Sequence, residues 1–141
     1  MVVQRKIKCF LSGGNPEDLV LTINELTASP AFGEISVLHP GNLSPEEFPA
    51  GVRLIPDRSF SSTETLKVLA HSVSSAYILL YTKSLPLKPG PWGVERMLQI
   101  AEDTGAGMVY SDYYALKEGK LQPNPVIDYQ KGSLRDDFNF G

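Results

Sequence analysis

The chain has 141 residues, of which 42% are hydrophobic and 21% charged, and its formal net charge is -3. This length and composition are typical of one globular domain with its own core, and the lack of a basic excess argues against a nucleic-acid partner. No stretch approaches the roughly 18 apolar residues of a membrane span, and no apolar segment follows the basic N-terminus as in a signal peptide, so we expect a cytoplasmic location.

The first third of the chain alternates strands with a helix. The run 7–11 predicts a first strand. Asn15 is a good helix N-cap and Pro16 suits the first helical position, so a helix is expected from there to about Ala28. Two short strands are predicted next, over 35–38 and 52–55.

The middle of the chain predicts two more helices with a strand between them. Ser61 and Glu64 have the spacing of a capping box. The helix they would begin has an expected inner face made of Leu66, Leu69, Ala70 and Val73. The strand over 76–81 holds an unbroken apolar run, which is typical of a central strand buried on both faces. The third helix is expected over 91–103, with Gly105 as its C-cap and an inner face made of Met97, Ile100 and Ala101.

The last part of the chain predicts a fifth strand over 108–110 and a hairpin that turns at Glu118-Gly119. The tail after it is polar and has no clear period. Strands that alternate with helices predict an α/β fold, a three-layer sandwich around a mainly parallel sheet.

Candidate site residues directly follow the predicted strands. Parallel sheets bind ligands beyond the C-terminal ends of their strands, where the strand order reverses. These positions are Ser12, Gly13 and Asn15 after the first strand, His39 after the second, Asp57 after the third, Thr82, Lys83 and Ser84 after the fourth, and Asp112 after the fifth. Plainer interpretations stay open: a simple turn at Gly13, a solvated loop at Lys83 and a turn cap at Asp112.

The sequence argues against three other kinds of reactive site. Gly13-Gly14 lacks the Gly-Lys-Ser/Thr ending of a phosphate-binding loop, which argues against an NTPase. The single Cys9 is expected to be a buried, inert thiol. Because the chain has only two histidines and this one cysteine, a His/Cys zinc site within the chain is not expected.

Three segments in order carry a resemblance to a known family: the first strand with its Asn-capped helix (7–26), "AYILLYTKSLPLKPGPWGVERMLQIAEDTGAGMVYSDY" (76–113), and the tail "PVIDYQKGSLRDDFNFG". The chain resembles the N-terminal part of a family 2 glycosyltransferase, with the nucleotide-diphospho-sugar transferase (GT-A) fold. The resemblance covers residues 6–141 and implies one GT-A-like domain with a core over 6–113 and a hairpin and tail over 114–141. It also implies either a C-terminally truncated piece of a longer enzyme or a stand-alone remnant.

The chain differs from the family pattern at the family's acidic motifs. In the family, the ends of the first two strands receive the nucleotide base and ribose, and an Asp-x-Asp after the fourth strand holds a divalent metal (Mn or Mg). Here Asn15 matches, whereas His39-Pro40-Gly41-Asn42 stands in place of Asp-Asp-Gly-Ser and Thr82-Lys83-Ser84 in place of Asp-x-Asp. A metal is therefore not assigned to any residue, and Lys83 would offer its positive charge to the diphosphate instead.

The function implied by the resemblance is binding of a nucleotide-diphospho-sugar donor for transfer to an acceptor hydroxyl. The family's catalytic base lies beyond the matched region, and Asp136 and Asp137 are the only late paired acids, so this chain is expected to be incomplete or inactive alone. One alternative is a non-catalytic interaction or regulatory domain on a degenerate transferase scaffold. Another is an unrelated doubly wound domain of flavodoxin or receiver type.

Overall fold

A computed structural model describes residues 7–56 and 58–126 of the chain. Asp57 and the tail from residue 127, including Asp136 and Asp137, lie outside the described residues. The chain forms two compact units, and the boundary between them in the sequence falls between Pro91 and Trp92. None of the described helices is long and apolar enough to cross a lipid bilayer.

The first unit confirms the α/β class and contains a four-stranded, all-parallel sheet. Its strands are β1 (Ile7–Ser12), β2 (Phe32–His39), β3 (Val52–Pro56) and β4 (Tyr77–Tyr81), and its helices are α1 (Pro16–Thr27) and α2 (Thr63–Ser72). The strands lie side by side in the order β3-β2-β1-β4. The chain thus steps from β1 outward to β3 and then returns to the other side of β1, so the strand order reverses between β1 and β4.

Helix α1 begins where the sequence predicts. The side chain of Asn15 accepts a hydrogen bond from the Glu17 N–H at 2.8 Å, and Pro16 occupies the first turn. The buried residues of α1 recur at helical spacing, which gives the helix one buried and mainly apolar face. They are Leu19, Thr22, Ile23 and Leu26.

Helix α2 differs from its prediction in both its start and its buried face. Ser62 is the N-cap, not Ser61. Leu69 is buried in a core cluster with Phe10 of β1 and Leu38 of β2. One turn before Leu69 lies Thr65, which is also buried, whereas Leu66 is exposed. Ala70 of the predicted inner face is exposed as well. The buried face of α2 thus follows Thr65 and Leu69, which lie four residues apart.

Strand β4 corrects the prediction of a central strand. In the described part of the chain it pairs with β1 and forms an edge of the sheet. Ile78 is 46% exposed and Leu80 44%, so one face of the strand is largely uncovered. An apolar run identifies a strand, but burial of both its faces depends on neighbours that the run itself does not encode.

The second unit holds one helix and one hairpin. Helix α3 spans Gly93–Thr104 and ends at Gly105, whose φ of 67° is the left-handed conformation of the predicted C-cap. Its predicted inner face is confirmed at Ala101, which is buried, but not at Ile100, which is 42% exposed.

The hairpin of the second unit also turns where predicted. Strands β5 (Tyr113–Lys117) and β6 (Lys120–Asn124) pair in antiparallel fashion around Glu118 and Gly119. Both turn residues have positive φ, 49° and 74°, as the tight two-residue turn of a hairpin requires. The strand predicted over 108–110 is wrong, because these residues are irregular and the first residue with a pairing partner after α3 is Tyr113.

Candidate functional site

The turn after β1 lies directly on the end of β2. The N–H of Gly13 donates a hydrogen bond to the carbonyl oxygen of Leu38 at 2.6 Å. A Cβ atom added to Gly13 would lie 2.7 Å from that oxygen and 2.8 Å from the Cβ of His39. Such distances are shorter than side chains tolerate, so glycine lets this turn approach the neighbouring strand.

The same turn also meets the loop after β4. The hydroxyl of Ser84 donates a long hydrogen bond to the carbonyl oxygen of Gly13, at 3.5 Å. A Cβ on Gly14 would lie 3.0 Å from the Cβ of Ser84. The loops that follow β1 and β4 are therefore in contact where the strand order reverses, which is the place where open parallel sheets bind their ligands.

Several contacts fix the loop that carries Thr82, Lys83 and Ser84. The Tyr81 hydroxyl donates to the carbonyl oxygen of Leu85 at 2.9 Å. Farther along the loop, the Leu87 N–H donates to the Thr22 hydroxyl of α1, also at 2.9 Å. These bonds tie the residues that directly follow Thr82-Lys83-Ser84 to β4 and to α1.

His39 has a structural role at the end of β2. Its side chain is only 3% exposed, and its Nδ1 accepts a hydrogen bond from the Gly41 N–H at 3.0 Å. Its carbonyl oxygen accepts another from the Arg58 N–H at 3.3 Å. His39 thus joins the loops after β2 and β3, and in its neutral form the ring proton is on Nε2.

The structure brings together part of the predicted set. Gly13, His39 and Ser84 meet where the C-terminal ends of the parallel strands lie side by side, which we call the carboxyl edge of the sheet. Ser12 ends β1 there. Asn15 is used as the cap of α1, and Asp57 lies outside the described residues. Binding of a ligand by any of them stays a prediction.

Thr82, Lys83 and Asp112 complete the predicted set. Thr82 is exposed and Lys83 half-buried in the loop after β4. Asp112 belongs to the second unit, where its Oδ1 accepts a hydrogen bond from the Val126 N–H at 2.8 Å. This bond joins the two ends of the hairpin, which agrees with the plainer interpretation of Asp112 as a local cap.

The donor atoms after β4 do not fit a divalent cation. Mn²⁺ and Mg²⁺ take carboxylate oxygens in protein sites, and Thr82-Lys83-Ser84 offers two neutral hydroxyls and an ammonium group. Across the described ranges, no three His, Cys, Asp or Glu side chains are grouped so that they could share a metal ion. A divalent metal is therefore not assigned to this loop, in which Lys83 is the only one of the three residues with a charged side chain.

Cys9 does not contribute a nucleophile. It is fully buried in β1, and burial raises the pKa of its thiol to about 12. The thiolate is the reactive form of cysteine, so this residue is inert near neutral pH, as its sequence context predicts.

Sequence reasoning missed a second polar region on the same unit. An open depression of about 380 Å³ lies at the N-terminus of α2 and is lined by Pro40, Arg58, Ser59, Ser62 and Thr65. The Ser/Thr-rich segment 58–65 was the available signal, but it also fits an ordinary helix cap.

A carboxyl edge of this kind is common to parallel α/β domains with many different activities, so the fold alone does not identify a reaction. No protein-family model, no curated protein and no solved structure matches this chain.

Proposed function

We propose that the chain binds a nucleotide-diphospho-sugar at the carboxyl edge of its sheet, as the donor-binding part of a glycosyltransferase. The observation that supports this most is the contact of the loops after β1 and β4 through Gly13, Gly14 and Ser84, at the reversal of strand order. The choice of a sugar nucleotide rests on the family resemblance of residues 76–113 and the tail.

The proposed mode of binding follows from the groups at this edge. The base and ribose would lie against the ends of β1 and β2, where Gly13 adds no side chain. The diphosphate would lie toward the loop after β4, where Lys83 supplies a positive charge. Lysine is a common phosphate ligand in proteins, and it needs no metal to act as one.

The proposal is limited to donor binding. Transfer of the sugar breaks its bond to the diphosphate and forms one to an acceptor hydroxyl, whose proton needs a base within hydrogen-bond reach. None of the described residues at this edge is a carboxylate placed for that task. We therefore expect this chain to bind the donor without turning it over.

Titration calorimetry with UDP and GDP, with and without manganese, tests the proposal. We expect binding that does not require the metal. Lys83→Ala should weaken it about 10- to 100-fold, since one hydrogen bond to a charged group contributes roughly 1.5–3 kcal/mol. Lys88→Ala is the matched control, because Lys88 lies in the same loop and its Nζ is 3.8 Å from Glu25 of α1.

Two results would count against this assignment. No heat of binding at millimolar nucleotide would refute the donor site and leave the interaction or regulatory domain as the better hypothesis. Binding that appears only with manganese would refute the role of Lys83 and place the metal ligands elsewhere in the chain.

A further inference from the structure

The depression at the start of α2 is lined mostly by residues with polar side chains. Arg58 contributes a guanidinium group, and Ser59 and Ser62 contribute hydroxyls. The ten-residue helix α2 begins beside it with Ser62 as N-cap. The first N–H groups of a helix have no partner within the helix and carry a partial positive charge, so they attract anions.

Thr65 provides an independent sign of a ligand. It lines the depression and is only 1% exposed, and its Oγ1 has no hydrogen-bond partner among the described residues. Its backbone N–H has a poor partner as well, the Ser62 hydroxyl at 3.5 Å. Buried polar atoms are almost always paired, and an unpaired one calls for a missing water, ion or ligand.

The one acidic side chain in the first turn of α2 does not oppose an anion directly. Glu64 is exposed, and its Oε1 lies 3.5 Å from the Nζ of Lys67. The pair lies on the exposed surface of the helix, whereas Thr65 is on its buried face.

We propose that this depression binds a phosphate group. The tetrahedral oxyanion would accept hydrogen bonds from Arg58, from the serine hydroxyls and from the first N–H groups of α2, and Thr65 Oγ1 would donate to it from below. Arginine, hydroxyls and helix N-termini are the common ligands of phosphate. The site does not depend on the proposed sugar-nucleotide function, since it lies at the ends of β2 and β3 and not between β1 and β4.

Two-dimensional ¹⁵N NMR of the full chain, titrated with inorganic phosphate against chloride at equal ionic strength, tests this site. We expect saturable shifts of the Thr63, Glu64 and Thr65 amides with phosphate and none with chloride. Arg58→Gln should weaken phosphate binding about tenfold or more. Arg53→Gln is the matched control, because Arg53 lies on β3 with its guanidinium 3.9 Å from Glu34 and does not line the depression.

Thr65→Val separates a ligand role from a structural one. Valine keeps the shape of threonine and removes the unpaired hydroxyl, so without phosphate the variant should be at least as stable as the natural chain. With phosphate present, the rise in melting temperature should be smaller for the variant than for the natural chain. A loss of stability in the phosphate-free variant would show that the hydroxyl is satisfied within the protein and would overturn the proposal.

Equal weakening by Arg58→Gln and Arg53→Gln would also overturn it, as would the absence of saturable shifts at tens of millimolar phosphate. UDP distinguishes the two sources of the phosphate. Shifts at α2 with inorganic phosphate but not with UDP would support a separate phosphate site, and shifts with both would support a phosphoryl group carried by a nucleotide. UDP binding that depends on Lys83, with no phosphate response at α2, would refute this inference and leave the donor proposal standing.

Discussion

Replacement of Gly13 by alanine tests the contact between β1 and β2 on which the candidate site depends. The added Cβ would lie 2.7 Å from the Leu38 carbonyl oxygen and 2.8 Å from the Cβ of His39. Neither neighbour is the end of a flexible side chain, so neither can swing aside. Gly90→Ala is the matched control, because nothing lies within 4 Å of a Cβ at that position.

The cost of Gly13→Ala follows from two contributions. Ordinary contact begins near 3.4 Å, so the turn must move away from Leu38 by about 0.7 Å (3.4 minus 2.7), a forced fit of the kind that costs roughly 1–3 kcal/mol in tightly packed sites. That movement also stretches the 2.6 Å hydrogen bond from Gly13 to Leu38, which contributes about 1 kcal/mol. The expected total is about 2–4 kcal/mol.

Urea unfolding followed by circular dichroism measures this loss. With a denaturant slope of about 2 kcal/mol per molar urea, the midpoint of Gly13→Ala should fall by about 1–2 M, and that of Gly90→Ala should stay close to the natural value. Nucleotide binding should weaken in Gly13→Ala even below the transition, because β1 lies between β2 and β4 and a turn pushed away from Leu38 changes its contact with Ser84. A midpoint shift in Gly13→Ala no larger than in the control would refute the close approach of Gly13 to the end of β2.

Two further predictions concern residues away from the site. Burial raises the pKa of Cys9 from 9.0 to about 12, so above pH 9 the unfolded thiol ionises while the native one does not. The free energy of unfolding should therefore fall by up to about 1.4 kcal/mol per pH unit between pH 9 and 12, and urea titrations of Cys9→Ala should lack this share of the slope; equal slopes would contradict it. Glu118 has a φ of 49° at the first turn position of the hairpin, where asparagine is better tolerated. Glu118→Asn should therefore stabilise the hairpin and slow amide exchange in β5 and β6 by about 2- to 5-fold. Unchanged exchange would argue against strain at Glu118.

Features encoded by neighbouring residues could be predicted from the sequence. The Asn15 cap of α1 and the turn at Glu118-Gly119 depend on bonds and dihedral angles within a few residues. The edge position of β4 and the buried face of α2 depend on distant partners. Leu66 and Leu69 are equally apolar, and only the contact of Leu69 with Phe10 and Leu38 determines which of them is buried.

The candidate site also has features that could be predicted from the sequence and features that could not. The positions after the strands could be predicted because parallel strands place their carboxyl ends at one edge. The close approach of Gly13 to Leu38 could not, since it depends on the register of β1 against β2. The depression at α2 was missed because its strongest sign, the unpaired hydroxyl of Thr65, is a matter of burial rather than of residue type.

The absence of an acidic motif after β4 does not by itself oppose the proposed binding of a diphosphate. In the family that the chain resembles, two carboxylates and a divalent cation cancel in formal charge, and the cation faces the ligand. A bare pair of carboxylates would repel it, but in the proposed donor site Thr82-Lys83-Ser84 stands in that place, with no carboxylate that would repel the anion or require a metal. The site then has the Lys83 side chain next to a turn whose glycines add no side chain. Such a loop would attract an anion but would supply no Lewis acid of the kind that helps a diphosphate leave. With a lysine in place of two carboxylates and a metal, we expect the chain to bind the donor and not to transfer its sugar.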